Sequence, residues 1–323
     1  MERAIVVEAI GGPEVLQVAA RDPGEPGAGQ VRVRVAAAGV NFIDVYFRTG
    51  LYPRPLPFVA GLEGAGRVEA IGAGVADVAV GDRVAWASAP GSYADVVLAP
   101  AASVVPVPDA VPDDSAAAAM LQGMTAHYLV YAIRPPEPGG TALVHAAAGG
   151  TGLLLVQMLK AAGMRVVGSC GSEAKVALVR DAGADAVVRS DDANFVAAVR
   201  DAAGGHGVDV VYDGVGRATI DYSLACLRPR GLLALFGQAS GPVPPFDLQR
   251  LNAGGSLVVT RPSLAHFVAT RQELRMRADA VLDAIAQQRL QIRIGARFPL
   301  TEAADAHRAL ESRATTGKVL LIP

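Results

Sequence analysis

A glycine turn between an apolar run and a helical pattern is the stretch of this chain best suited to bind a phosphate. Thr141–His145 reads as a short strand, and small residues follow at Ala146, Gly149 and Gly152. This spacing lets backbone approach a pyrophosphate closely, and the N–H groups of the helix that follows favour negative charge. Such turns also serve plain packing, so the spacing alone leaves both interpretations open. The residues expected to contact the phosphates are Ala148, Gly149, Gly150, Thr151 and Gly152.

The segments after this turn follow one pattern, in which short apolar runs alternate with helical patterns. The expected strands after the turn are Met164–Gly168, Ala186–Val188, Val208–Tyr212, Gly231–Phe236 and Ser256–Thr260, and the expected helices are Glu173–Ala182, Ala193–Ala203 and Arg217–Cys226. Six buried strands joined by helical crossovers predict an α/β fold with a doubly wound, six-stranded parallel sheet of the Rossmann type. Ligands of such sheets bind beyond the carboxyl ends of the strands.

The first third of the chain follows a different pattern. Short strand-like runs between residues 4 and 100 are separated by Gly and Pro clusters, which predicts a small, barrel-like β domain. Residues 298–323 hold a helix and a strand, too little to fold alone, and are expected to complete that domain. We therefore expect a catalytic domain made of residues 1–124 and 266–323 and a nucleotide-binding domain made of residues 125–265.

Composition limits the partners. The 323 residues are 51% hydrophobic with a formal net charge of −2, which gives no electrostatic reason to expect nucleic acid or an anionic membrane. Strand-like residues follow Met1 directly, without a signal-peptide core, so we expect a cytoplasmic protein. The two cysteines, Cys170 and Cys226, lie too far apart in sequence for a Cys-x-x-Cys pair.

A set of motifs in a fixed order carries a family resemblance along the whole chain. The motifs are Val40–Asp44, Gly50–Pro53, Gly61–Gly66, Gly81–Val84, His145–Gly152, Val210–Gly216 and Arg261–Leu264. Together they resemble the zinc-independent NADPH:quinone oxidoreductases (zeta-crystallin-like) of the medium-chain dehydrogenase/reductase superfamily. The resemblance implies a GroES-like catalytic domain, a Rossmann domain, NADPH as reductant and quinones as substrates.

The residues disfavour zinc. Zinc-dependent relatives carry a Cys near Asn41 and a Gly-His-Glu motif where this chain has Gly61, Leu62 and Glu63. A leucine cannot bind zinc, and no Cys or His precedes His127. We expect no metal, and we interpret Glu63 and the five histidines as structural.

The end of the second Rossmann strand predicts the choice of cofactor. NAD-selective sites place an acid there, whereas this chain has Gly171 and Ser172 followed by Lys175, which can bind a 2′-phosphate. Lys175 is otherwise a surface lysine. Family members often carry Asn-Tyr where this chain has Arg189 and Ser190, so Arg189 either replaces that contact or is a surface residue.

The resemblance also implies the residues around the nicotinamide. Asn41, Tyr46 and Tyr52 match residues of the family's substrate cleft. Their amide and hydroxyl groups can stabilise the oxyanion that develops on the substrate. Tyr52 is otherwise a loop anchor. The remaining implied cofactor contacts are Thr125, Gly214, Gly216, Phe236, Gly237, Gln238, Ser240 and Arg313. The alternative for Arg313 is a positive charge at the C-terminus of a helix, where it complements the helix dipole. Cys170 is expected to be a packing residue with no part in the reaction.

The last strand, Ser256–Thr260, is apolar and expected at a sheet edge, so we expect a homodimer through it. Three functions stay open from sequence. The first is NADPH-dependent quinone reduction, and the second is NADPH-dependent reduction of conjugated C=C bonds in an enal, enone or acryloyl thioester. The third is a non-catalytic role in binding NADPH or RNA.

Overall fold

The computed structural model describes residues Met1–Pro323, which divide into two compact units. Unit 1 comprises residues 1–124 and 268–323, and unit 2 comprises residues 125–267. The expected domains divide after residue 124, as these units do. Their second boundary was expected after residue 265, and the units divide after residue 267.

The strands, in chain order, are β1 Glu2–Val7, β2 Leu16–Arg21, β3 Gln30–Val40, β4 Phe58–Val59, β5 Glu63–Ile71, β6 Arg83–Trp86, β7 Val96–Pro100, β8 Val105–Pro106, β9 Thr141–Val144, β10 Arg165–Cys170, β11 Ala186–Arg189, β12 Val208–Asp213, β13 Leu227–Leu235, β14 Val258–Thr260, β15 Ile294–Pro299 and β16 Lys318–Ile322. The helices are α1 Phe42–Arg48, α2 Asp113–Tyr128, α3 Gly150–Ala161, α4 Glu173–Asp181, α5 Phe195–Ala202, α6 Ile220–Cys226, α7 Gln249–Ala253, α8 Arg271–Ala286 and α9 Ala303–Glu311.

Unit 2 contains the predicted parallel sheet. Its strand order is β11-β10-β9-β12-β13-β14, and every neighbouring pair is parallel. Counted from β9, this is the order 3-2-1-4-5-6, which reverses direction beside β9 and creates a crevice at the carboxyl ends of the strands. The prediction of a Rossmann sheet is confirmed. Strands β9 and β12 lie in the middle of the sheet, where both faces of a parallel sheet are covered, and all of their residues except the half-buried Asp209 are buried.

Unit 1 is built on β-structure. A small antiparallel sheet has the order β2-β1-β4, and a larger sheet runs β15-β16-β3-β5-β6-β8, with β7 also paired to β3. Strand β16 lies between β15 and β3, so the expectation that the C-terminal segment completes this domain is confirmed. Trp86 and Tyr93 are fully buried in its core, which also includes Leu321 of β16.

None of the helices is both long enough and apolar enough to cross a membrane. The expected cytoplasmic location stays a prediction.

Candidate functional site

The carboxyl edge of the sheet in unit 2 gathers most of the predicted cofactor residues. Each of the strands β9 to β13 is followed there by one predicted turn or residue pair, because parallel strands end at the same edge. In strand order these are Ala148–Gly152, Gly171 to Lys175, Arg189 with Ser190, Gly214 with Gly216, and Phe236–Ser240.

The glycine turn after β9 has the shape of an anion site. Gly149 is the N-cap of α3, and the first turn of that helix contains no acidic residue to fill its N-terminus. A Cβ on Gly152 would lie 2.4 Å from the Ala146 carbonyl oxygen, so only glycine allows the turn to close this tightly. Ala146 itself has a positive φ of 48°, which strains a residue with a side chain. The N–H groups of this first turn therefore remain for an anion.

The ends of β10 and β11 carry charges of both signs, with Lys175 and Arg189 beside Glu173 and Asp191. Gly171 and Ser190 are neighbours, since the Ser190 N–H donates to the Cys170 carbonyl at 2.9 Å. Burial raises the pKa of the Cys170 thiol, and the nearby charges of Arg189 and Lys175 oppose that rise. Arg189 is already engaged, because it donates to Asp191 Oδ2 at 2.7 Å. Ser172 is the N-cap of α4 and Lys175 lies in the first turn of that helix, so both directly follow β10.

The turns after β12 and β13 are packed against each other. A Cβ on Gly214 would lie 2.9 Å from the Phe236 ring, and Gly216 has a φ of 91°, which favours glycine. Asp213 Oδ1 accepts from the N–H groups of Val215 and Gly216 at 2.7 and 3.1 Å, which holds the β12 turn in place. The Ser240 hydroxyl donates to the Val215 carbonyl at 2.7 Å and joins the two turns.

In unit 1, Asn41 belongs to a buried polar cluster. Its side-chain N–H₂ donates to Glu63 Oε2 at 2.8 Å and to the Gly39 carbonyl at 3.2 Å, and its oxygen accepts from Lys318 Nζ at 2.6 Å. Glu63 and Lys318 are also paired and are 0% and 1% exposed. Both side-chain amide hydrogens of Asn41 are therefore already used in hydrogen bonds within unit 1. Asn41 could donate to a bound substrate only if one of these hydrogen bonds opened.

The predicted tyrosines lie close together in unit 1. The rings of Tyr46 and Tyr52 are 5.1 Å apart in an edge-on arrangement, and the Tyr52 N–H donates to the Tyr46 carbonyl at 3.0 Å. Asn41 is the N-cap of α1, which carries Tyr46, so the buried cluster also orients that helix. Thr125 is buried in α2 in unit 2, and Arg313 is exposed after α9 with a φ of 58°.

A second polar chain starts at Asp44. The Tyr93 hydroxyl donates to Asp44 Oδ2 at 2.9 Å and lies 3.2 Å from His307 Nε2, while Arg48 Nη1 is 3.3 Å from His307 Nδ1. Arg48 can only donate, so Nδ1 accepts and the His307 proton sits on Nε2. Burial lowers the pKa of His307 to about 3, which keeps the ring neutral. Burial raises the pKa of Asp44 to about 7.

The donor set in unit 1 does not fit zinc. Leu62 precedes Glu63, and the Glu63 carboxylate is already neutralised by the Lys318 ammonium. No group of three or more His, Cys, Asp or Glu side chains is arranged to hold a metal ion.

Sequence reasoning missed the residues that support the site. Lys318 and Tyr93 belong to the buried networks of unit 1 and were not singled out for such a role. His307, which belongs to one of these networks, was interpreted as structural without a stated partner. The one available signal was a lysine opening the apolar run Val319–Ile322. Asp213 was visible within the motif Val210–Gly216, but its role in shaping the turn required the structure.

Comparison with known proteins agrees with this architecture. Residues 27–109 match the alcohol dehydrogenase GroES-like domain, and residues 150–287 match the zinc-binding dehydrogenase family. A quinone oxidoreductase of Pseudomonas aeruginosa is 44% identical over 100% of both chains. The crystal structure of Escherichia coli quinone oxidoreductase complexed with NADPH is 41% identical, with a TM-score of 0.97 over 99% of this chain and 100% of that one. A 2-haloacrylate reductase of a Burkholderia species is 40% identical over 100% of this chain and 99% of its own.

Proposed function

The chain belongs to the quinone oxidoreductases of the medium-chain dehydrogenase/reductase superfamily, and we propose that it is an NADPH-dependent quinone reductase. The observation that carries this proposal is the carboxyl edge of the sheet in unit 2. It combines a glycine turn that closes too tightly for a Cβ with Ser172 and Lys175, which follow β10 where an NAD-selective site would carry an acid. In this proposal unit 2 binds the dinucleotide, and unit 1 supplies the residues that face the acceptor.

The residues of unit 2 fit the charged parts of NADPH. When bound, NADPH supplies a hydride from C4 of its nicotinamide. The N–H groups at the start of α3 would hold the pyrophosphate, and the Ser172 hydroxyl and the Lys175 ammonium would hold the 2′-phosphate. Arg189 lies beside these residues, but its charge is paired with Asp191 and lies 3.8 Å from Glu173. The turns at Gly214, Gly216 and Phe236–Ser240 would border the nicotinamide end.

The residues of unit 1 would serve the acceptor. Tyr46 and Tyr52 offer aromatic surface against a quinone ring and hydroxyl groups that stabilise the oxyanion formed as hydride arrives. The hydroquinone anion formed by hydride transfer is stable, so water or either tyrosine can supply the proton that completes the product. Asn41 contributes mainly by holding α1, because its amide hydrogens are already used.

We propose that this reaction needs no zinc. The support comes from the donor set: Asn41 stands near the position where zinc-dependent relatives have a cysteine, Leu62 replaces a histidine, and Lys318 neutralises Glu63. Electrostatic activation of the acceptor then falls to hydroxyl groups, which suffice for an electron-poor quinone.

Reduction of a conjugated C=C bond is a second candidate. The 40% identity to a 2-haloacrylate reductase along the full chain favours it specifically. Such a reaction benefits from a proton donor opposite the hydride face. Strong loss of alkenal turnover in Tyr52→Phe, with quinone turnover retained, would support this second function.

A homodimer is also proposed. Strand β14 closes one edge of the sheet in unit 2, and its residues Val258 and Val259 are 50% and 36% exposed. An apolar unpaired edge favours pairing with a second copy of itself. Sedimentation equilibrium at micromolar concentration should give twice the chain mass, and Val259→Lys should give a monomer. A stable wild-type monomer would exclude this dimer.

The reaction itself is tested by NADPH oxidation at 340 nm with EDTA-treated protein. The acceptors are 1,4-benzoquinone, 9,10-phenanthrenequinone and a 2-alkenal, with NADH as the alternative reductant. Quinone turnover that prefers NADPH and is insensitive to EDTA is the expected result. Turnover of the alkenal alone would replace the leading function with the second candidate, and NADPH binding without any turnover would leave a binding role.

A further inference from the structure

A buried polar network lies beneath the cofactor turns of unit 2. It joins Ser169 of β10, His145 at the end of β9, Ser223 of α6 and Asp213 of β12, whose exposed fractions are 1%, 3%, 0% and 0%. His145 Nδ1 is 3.1 Å from the Ser169 hydroxyl, and His145 Nε2 is 3.1 Å from the Ser223 hydroxyl. The ring of Phe195 stacks on the imidazole with a centroid distance of 5.6 Å and fixes its plane. The network therefore has a defined geometry.

The positions of its protons follow from the partners. The Ser223 hydroxyl donates its single hydrogen to Asp213 Oδ2 at 2.7 Å, so its oxygen can only accept from the imidazole. His145 Nε2 therefore carries a hydrogen. Burial lowers the pKa of His145, which keeps the ring neutral and leaves Nδ1 free to accept from the Ser169 hydroxyl. Every polar atom of the imidazole is satisfied in this single tautomer.

This network connects the turns that would hold the dinucleotide. Asp213 Oδ1 holds the N–H groups of Val215 and Gly216 in the turn after β12. Ser169 lies just before the turn at Gly171 and Ser172, and its carbonyl accepts from the Ala147 N–H at 2.8 Å. His145 directly precedes Ala146, whose φ of 48° opens the glycine turn. The imidazole thus bridges three separate turns from below, without reaching the surface that a ligand would touch.

We propose that His145 is a positioning residue that holds these three turns in register, and thereby sets the affinity of unit 2 for a nicotinamide dinucleotide phosphate. The proposal rests on the proposed function, since it concerns binding of the same cofactor. It assigns no chemical step to the imidazole. Removal of the hydrogen bonds should release the turn after β12 from the turns after β9 and β10, and NADPH binding would then have to reorder them.

The test compares His145→Met, which has no such hydrogen bonds, with His145→Gln, which keeps a donor and an acceptor at the end of the side chain. NADPH affinity is measured by isothermal titration calorimetry, and KM and kcat are measured with a quinone. We expect His145→Met to weaken NADPH binding by about tenfold or more, the loss typical of a buried hydrogen-bond partner, with kcat at saturating NADPH changed by less than about twofold. His145→Gln should recover most of the affinity.

Controls separate the possible outcomes. His206 is an exposed histidine of unit 2, and His206→Met should leave NADPH affinity unchanged. Ser169→Ala removes only the donor to Nδ1 and replaces His145→Met if that variant does not fold. A folded His145→Met or Ser169→Ala that binds NADPH as tightly as wild type would overturn the proposal. Failure of the wild-type protein to bind NADPH would instead overturn the proposed function on which it rests.

Discussion

Lys318 and Glu63 form an ion pair that is closed off from solvent inside unit 1, with Lys318 Nζ 2.5 Å from Glu63 Oε2. The second Glu63 oxygen accepts from the Leu121 N–H at 2.6 Å, and Asn41 bridges the two charged groups. Desolvation of two charges is unfavourable, so such a pair stabilises a fold only when its partners are all in place. The pair also fixes which way the Asn41 amide faces.

The buried pair makes a first prediction about stability. Lys318→Met should lower the free energy of unfolding by about 3–5 kcal/mol, because it leaves the Glu63 carboxylate buried without its cation. Adding Glu63→Gln should recover much of that loss. Urea unfolding of Lys318→Met, Glu63→Gln and the double variant gives the coupling energy. Arg308→Met, which breaks an exposed pair with Asp305, should cost less than about 1 kcal/mol. Additive losses in the double variant would contradict this account.

Asp44 makes a second prediction, about pH. Its pKa is about 7 in the fold against an ordinary 3.8, so the folded state keeps the proton up to a higher pH than the unfolded chain does. The stability that Asp44 contributes is therefore complete below about pH 4 and is lost as the pH rises to about 7. Asp44→Asn stays neutral at every pH. As the pH rises over that range, its free energy of unfolding should increase relative to that of the wild type by up to about 4 kcal/mol.

Chemical denaturation at several pH values checks the prediction for Asp44. Because His307 is present in both proteins, its own titration largely cancels in the difference. Asp305→Asn, at an exposed position of α9, is the matched control and should follow the wild type at every pH. A difference between Asp44→Asn and wild type that does not change with pH would show that the carboxyl is ionised in the fold throughout.

Lys175 makes a third prediction, about cofactor selection. Lys175→Ala should raise KM for NADPH by about tenfold or more and leave KM for NADH nearly unchanged, because only NADPH carries the 2′-phosphate. Steady-state kinetics with both reductants measure this. Arg180→Ala removes a charge from an exposed position of the same helix and should change neither value. An equal loss with both reductants would place the role of Lys175 elsewhere.

Gly152 makes a fourth prediction, about the glycine turn. Gly152→Ala places a Cβ 2.4 Å from the Ala146 oxygen and 2.7 Å from the Ala147 Cα, both of them backbone atoms that cannot yield without moving the turn. We expect a loss of NADPH affinity of at least about tenfold and a lower melting temperature. A Cβ on Gly171 meets only the Ser190 hydroxyl at 3.6 Å, so Gly171→Ala should keep its melting temperature. Unchanged NADPH binding in Gly152→Ala would argue against a phosphate at this turn.

The apolar strands of unit 2 could be predicted from sequence because a buried parallel strand must be apolar on both faces. The expected run Val208–Tyr212 became β12, one residue longer. Strand β13 begins at Leu227, earlier than the expected Gly231, since the polar Arg228 and the proline after it interrupt the pattern. Helix α8 was missed because its sequence is mostly polar, although Thr270 and Glu273 form a capping box at its start.

The supporting networks could not be predicted, and the reason is sequence separation. Lys318 and Glu63 are 255 residues apart in the chain, and His145 and Ser223 are 78 residues apart. No periodicity or local motif connects such pairs. The candidate site was recognised through its turns, whose glycines are constrained locally, while the polar residues that hold those turns depend on the folded topology.

The position of β16 between β15 and β3 has a consequence for the order in which the protein folds during synthesis. A ribosome that adds roughly 5–20 residues per second produces Glu63 well over ten seconds before Lys318. Unit 2 is a single continuous segment and can fold within that interval. During that interval the first part of unit 1 has a Glu63 carboxylate without its cation, and residues Ala38–Val40 of β3 lack their partner strand. Slower translation should therefore lengthen the time in which this segment lacks its strand partner and its cation, and should leave the folding of unit 2 unaffected.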